Sequence, residues 1–195
     1  MEILILGLVI FLGSHSTGLF APDWRDRMVT RLGAPTWKVA YAAVSLVGFV
    51  LIIWGYGLAR GEPIWLWHPP VWTRHLAALL TLPAFILLVA TYVPGSRIKA
   101  KVGHPMVLGT KIWAFAHLLA NGTVADVLLF GAFLVWAIAA FAIMRRRDRL
   151  AGVTRDPGSL GRDGITLVVG LVAWVVFALY LHQVLIGVAP MGAMG

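Results

Sequence analysis

GHPMVLGTKIWAFAHLLANG, residues 103–122, is apolar enough to lie in a bilayer and yet carries His104, Lys111 and His117. Ionisable residues at membrane depth are costly, and they usually face a bundle interior or a site. At about 100° per residue, His104 and Lys111 fall on one helix face. His117 points away from them, on a face shared with Trp113 and Asn121. At ~1.5 Å per residue the two histidines lie roughly 20 Å apart along the axis, so this helix alone cannot bring both to one metal. The plainer reading of each is a helix-packing histidine with its hydrogen bonds satisfied.

The rest of the chain says what kind of helix this is. Of its 195 residues, 60% are hydrophobic and 12% charged, and the mean hydropathy is +0.87. Soluble domains are nearer ~45–50% apolar and ~25% charged. Apolar runs recur at about 2–20, 39–58, 72–93, 104–120, 124–144 and 165–186. These predict an all-α polytopic membrane protein, a single domain built as a bundle of about six spans. The net charge of +8 would suggest nucleic acid if position were ignored. The basic residues instead sit in short loops between spans, which is membrane topology, and no nucleic-acid partner is expected. With no cysteine, disulfides, thiolate ligands, iron–sulfur clusters and a cysteine nucleophile are excluded.

Outward from the central stretch, each loop has its own chemistry. The first span carries Glu2 and no positive charge at its start, and LFAPDW is a poor cleavage site, so it reads as a span rather than a signal peptide. Near its end, GSHSTG places His15 among small residues that admit a second helix or a flat ligand. The first loop, bounded by Pro22 and Pro35, predicts a short interfacial helix. Gly48, Gly55 and Gly57 of the second span are ordinary in membrane helices. ARGEPIWLWHPPVW reads as an irregular interfacial segment with an aromatic belt, and His68 within it as a water-facing histidine. Pro83 should kink the third span. The third loop, PGSRIKAKVG, carries Arg97, Lys99 and Lys101, and RRRDR at 145–149 reads as a topology anchor within reach of anionic lipid. Residues 187–195 predict a flexible tail.

Of the sixteen Lys and Arg, the odd-numbered loops carry 4, 3 and 6. The positive-inside rule therefore predicts that those loops are cytoplasmic and both termini periplasmic. His75, His117 and His182 then lie about one turn inside the outer ends of spans three, four and six, while His15 and His104 lie toward the cytoplasmic side. Histidines at matching depth on different helices can hold a metal or haem. Acidic residues near the spans are confined to their ends, as at Glu2 and Asp126. Histidine ligation in an apolar, aromatic bundle suits haem better than zinc or di-iron.

Two long stretches carry a resemblance. LGLVIFLGSHSTGLFAPDWRDRMVTRLGAPTWKVAYAAVSLVGFVLIIWGYGLAR, residues 6–60, and GHPMVLGTKIWAFAHLLANG together resemble the NnrU family of bacterial membrane proteins. That resemblance implies a bacterial inner-membrane protein associated with nitrite and nitric oxide respiration. The family is related to the 15-cis-zeta-carotene isomerase, an integral membrane protein that uses haem b. The isomerase's haem ligands fall in an HSG-type and a W-x-x-A-H motif, and the matching positions here are His15 and His117. The resemblance thus implies haem b held by His117 and His15. The isomerase has a cysteine where this chain has Ala114, and usually an arginine where it has Gly103.

Depth and motif name different partners for His117. The predicted spans separate His15 and His117 by roughly 15 Å of depth at ~1.5 Å per residue. Two axial nitrogens on one iron are about 4 Å apart, at ~2 Å from the metal each. By depth His75 is the better partner; by motif it is His15. Two function classes follow from the resemblance. One is an accessory or regulatory haem protein of nitrogen-oxide respiration, the reading the missing cysteine favours. The other is a haem-dependent cis–trans isomerase of a carotenoid or related polyene prenyl lipid reached from the bilayer. The sequence shows no general acid/base pair or nucleophile constellation, and no inverted repeat that would mark a transporter.

Overall fold

The computed structural model describes residues 1–190, so the tail positions 191–195 lie outside the described residues. The chain is all helix apart from its connections. α1 is Glu2–Phe20, α2 Pro22–Leu32, α3 Ala34–Gly61, α4 Val71–Tyr92 and α5 Arg97–Val102. α6 is Pro105–Ala120, α7 Val124–Leu150 and α8 Leu160–Val176; a π-helical turn, Phe177–Leu181, joins α8 to α9, His182–Ile186. Five helical segments among the described residues are long and apolar enough to cross a membrane: α1, α3, α4, α7 and Leu160–Ile186. The central stretch is the exception. α6 has 16 residues, about 24 Å at 1.5 Å per residue, against a hydrocarbon core of ~30 Å. His104 and Asn121 cap it on either side, and at 105–120 it is a shorter apolar helix running between the two ends of the bundle, close to the expected 104–120.

The helices pack as a row. α1 lies between α3 and α7, α6 between α7 and α4, and α8 covers α4. The α1–α3 contact is backbone on backbone. A Cβ on Gly7 would come 2.6 Å from the Ile52 amide nitrogen, one on Gly48 2.7 Å from that of Phe11, and one on Gly55 would run into Leu4. Small residues let membrane helices gain dispersion contacts that apolar lipid cannot outcompete. Gly48 and Gly55 are therefore contact surfaces rather than ordinary helix glycines, whereas Gly57 faces open space. Leu4, Leu8, Ile52, Ala59, Ala125, Leu129 and Phe130 form the core where α1, α3 and α7 meet. Elsewhere the buried apolar positions are mostly alanines, while Val39, Leu79 and Val184 are among the many large side chains left exposed. That inside-out distribution suits a lipid solvent.

The two ends of the bundle are built differently. At the end with few charges, loop 62–70 is pinned under the α6–α7 turn: Leu66 and Trp67 donate to the Gly122 carbonyl, and Val124 donates to that of Ile64. Thr123 and Asp126 form a capping box at the start of α7, and the Tyr56 hydroxyl donates to the buried Asp126. Arg60 donates to the Ile186 carbonyl at 2.7 Å, tying the two ends of the row together.

At the basic end, the first loop forms α2, the short helix expected there. The third loop forms α5, with Asp163 accepting from Ser96 and the Ile98 amide. The RRRDR run is more than a topology anchor. Arg147 donates to the Gly18 and Leu19 carbonyls at 2.8 and 2.7 Å, capping the orphan C-terminal carbonyls of α1. α4 continues through Pro83 as one helix.

Candidate functional site: two histidines and a row of rings

His15 and His117 share one local arrangement. Each sits in the C-terminal part of its helix, His117 in the last turn of α6, and its Nδ1 bonds the carbonyl one turn back, Phe11 O at 2.7 Å and Trp113 O at 2.8 Å. A carbonyl can only accept, so Nδ1 carries the proton in both rings. The lone pair of the neutral ring is then on Nε2, the nitrogen left for a metal. Neither Nε2 has a protein hydrogen-bond partner among the described residues.

Between them stand three aromatic rings. His15 packs on Phe11 (centroids 4.2 Å), Phe11 on Phe133 (5.8 Å), Phe133 on Trp113 (5.6 Å) and Trp113 on His117 (5.1 Å). Phe11 and Trp113 both touch Phe133, so they mark one level. His15 lies one turn from it toward the basic end, and His117 one turn from it the other way. Eight residues of helix at 1.5 Å each put the two Cα atoms about 12 Å apart in depth, and each imidazole leans back one turn toward the shared level, onto Phe11 or Trp113.

Their surroundings differ. His117 is packed: it stacks on Phe130 at 4.7 Å with the planes 29° apart, and Asn121 donates to its carbonyl. His15 lines a cavity of about 340 Å³ between α1, α2 and α3. Thr17, Trp37 and Tyr41 share its wall, and Arg25 and Lys38 supply two cations. Such a volume is within the ~300–1,000 Å³ of ligand pockets. Arg25 also pairs with Asp26 at 2.7 Å, while Lys38 has no ion-pair partner among the described residues.

The remaining histidines are at the expected levels without converging. Gly109 packs against Ala84 and Gly170 against Ile86. Counting outward from those contacts brings His117, His75 and His182 to one depth. His75 is exposed, turned away from His117. His182 follows the π-helical turn and bonds the Val188 carbonyl at 2.7 Å. His68 stacks on Trp65 at 4.6 Å in the exposed loop, and His104 Nε2 donates to Asp148 at 2.8 Å. Among the described residues no three His, Cys, Asp or Glu are grouped to hold a metal ion.

Haem b asks for an axial imidazole, flat apolar walls and an anchor for two carboxylates. The His15 cavity offers all three kinds of group: Nε2, Trp37 with Tyr41, and Arg25 with Lys38. Between His15 and His117 the packed rings of Phe11, Phe133 and Trp113 make a continuous row. Arg25, Trp37, Lys38 and Tyr41 carry no motif. Their role is visible only once α2 folds back against α1 and α3.

A polytopic all-α membrane protein, with imidazoles presented at two depths of one bundle, is the class these observations define. The chain belongs to the NnrU family: the family model described as NnrU protein matches residues 3–190, nearly its whole length. No curated protein and no solved structure matches the chain.

Proposed function

We propose that this membrane protein binds haem b in the cavity at His15 and acts as an accessory or regulatory component of nitrite and nitric oxide respiration. The observation that carries the reading is the cavity itself. It joins an imidazole with a free Nε2 to aromatic walls and two cations, at one end of a bundle otherwise closed by packing. Bound haem would supply redox chemistry and ligand affinity. The protein's part is to orient the ring through the Phe11 carbonyl, exclude water with Trp37 and Tyr41, and hold carboxylates with Arg25 and Lys38. His117, the second ligand implied by family resemblance, faces His15 across the Phe11, Phe133 and Trp113 rings, so joint ligation would require that row to open. The respiratory role rests on family membership and the family's name. The isomerase alternative has less support: Phe11, Phe133 and Trp113 fill the space between the histidines, and buried Ala114 stands at the cysteine position.

The decisive measurement is an absorption spectrum of the protein purified in detergent after expression with ample haem. A Soret band with near-stoichiometric haem supports the reading, and its absence sinks it. The proposed orientation puts both termini in the periplasm, since each Lys or Arg inverted into the hydrocarbon costs roughly 2.5–3.5 kcal/mol. A phosphatase fused after Gly195 should be active; an active cytoplasmic reporter at the same point would reverse the assignment.

A further inference from the structure

Lys111 and the α6–α7 face beside it take no part in the haem reading. The Lys111 ammonium lies 5.1 Å from the Phe141 ring centroid. Toward the basic end, the His104 ring meets Phe141 edge-on at 6.5 Å, and Arg145 is one turn beyond Phe141 on the same face of α7. Arg145 and Arg155 converge on Gly103. A Cβ there would come 3.2 Å from Arg145 Nη1 and 3.2 Å from Arg155 Cζ, and the backbone turns at φ +82°, so only glycine suits the position.

The charges on this face do not balance. Asp148 is the one carboxylate in contact, and its Oδ2 already takes Arg155 at 2.6 Å and His104 at 2.8 Å. Arg145 and Lys111 have no hydrogen-bond or ion-pair partner among the described residues. Both are half-buried. Lys111 lies about 10 Å deeper into the bundle than His104 at 1.5 Å per residue. Three cations against one carboxylate, partly desolvated, leave a net positive seat. Charges in such surroundings are normally paired.

We infer that this seat binds the phosphate of an anionic phospholipid in the leaflet at the basic end, with Arg145 and Lys111 donating to the phosphate oxygens. Asp148 holds Arg155 beside the phosphate and keeps its charge oriented. Guanidinium and ammonium groups both donate to phosphate, and the planar guanidinium does so bidentately. A neighbouring exposed apolar residue selects the lipid over a soluble anion: Ile138, two turns before Arg145 on the same face of α7, offers a track for an acyl chain. A basic pocket between membrane helices at this depth is a known kind of headgroup site.

The test titrates the full-length protein in detergent with phosphatidylglycerol, with phosphatidylcholine and with inorganic phosphate, and counts retained lipid by native mass spectrometry. One phosphatidylglycerol per chain should be retained in preference to phosphatidylcholine. Lys111→Gln combined with Arg145→Gln should weaken it by about tenfold or more, as expected for losing two charge-assisted contacts. Arg27→Gln with Arg31→Gln removes equal charge from exposed α2 and should leave retention unchanged. Arg145→Lys should restore part of the binding. Circular dichroism identifies a variant that fails to fold; should the double variant do so, Arg145→Gln alone is read. Equal retention of the two lipids, or an equal loss in the α2 control, would overturn the inference. Binding of inorganic phosphate without lipid, or displacement of lipid by it, would assign the seat to a soluble phosphate and overturn the lipid assignment.

Discussion

His15 and His117 start from the same local chemistry and end in opposite surroundings. Each imidazole is held by the carbonyl one turn back and each packs on the aromatic residue at that same position, Phe11 or Trp113. Around His117 the neighbours close in: Phe130 stacks on the ring, and loop 62–70 seals the α6–α7 turn just beyond. Around His15 they stand off, because α2 turns back at Ala21 and Gly33 and leaves a cavity against α1 and α3. The difference teaches that a helix dictates the tautomer of its own histidine. Whether that histidine can meet a ligand depends on what packs over it.

The sharpest way to break this contrast is a pair of alanine variants. His15→Ala should remove haem by more than the ~10–100-fold that disturbing a ligand's supporting contacts costs. His117→Ala should keep haem and instead lose stability, since it leaves a gap against Phe130 and Trp113. Haem per protein and melting temperature, read together, separate the two. Loss of haem from the His117 variant at unchanged melting temperature would restore the two-histidine iron and show that the row of rings opens.

A smaller effect probes the ring row that keeps the sites apart. Phe133→Ala removes the ring touching both Phe11 and Trp113; the ring is half-buried, so the cost should fall below the ~3–5 kcal/mol of a fully buried phenylalanine, at about 2 kcal/mol. Denaturation in detergent should show that loss. If stability instead stays near the wild-type value, the row is loosely packed and the separation of the histidines is soft.

Next comes the α1–α3 contact, which positions the His15 side only. Gly48→Val places a branched side chain against the Phe11 backbone and should cost about 1–3 kcal/mol by overpacking. Haem content should fall with it, because His15 moves with α1. An unchanged haem content would detach the cavity from the α1–α3 packing.

The least of these effects belongs to the His117 side. Tyr56→Phe takes one donor from the buried Asp126 carboxylate, which keeps its bonds within the capping box. A loss of about 1 kcal/mol is expected for a hydrogen bond of this kind, with no change in haem. A change in haem would mean that the two ends communicate through α7.

Much of the architecture is written locally. Hydropathy over 18-residue stretches needs no tertiary knowledge, so α1, α3, α4, α7 and the α8–α9 segment were legible, as was α2 between its two prolines. The depths of the histidines were legible too. Rise per residue is fixed by backbone geometry, so the Cα depths of His15 and His117 can be counted from sequence, while the position of each imidazole depends on how its ring leans along the helix. α6 was legible as well, expected at 104–120 and found at 105–120.

The sequence by itself determined that this is a helical membrane protein and roughly where its histidines lie along the bundle axis. Those follow from hydropathy and helical rise. Only the tertiary structure decided which way each helix faces. It turned His75 outward at the right depth, set Phe133 between His15 and His117, folded α2 over the first of them, and brought Arg145 and Arg155 together over Gly103. Rotation about a helix axis is set by the partner packed against it. In a lipid solvent the apolar residues of a span look alike on every face, so they do not say which face meets that partner.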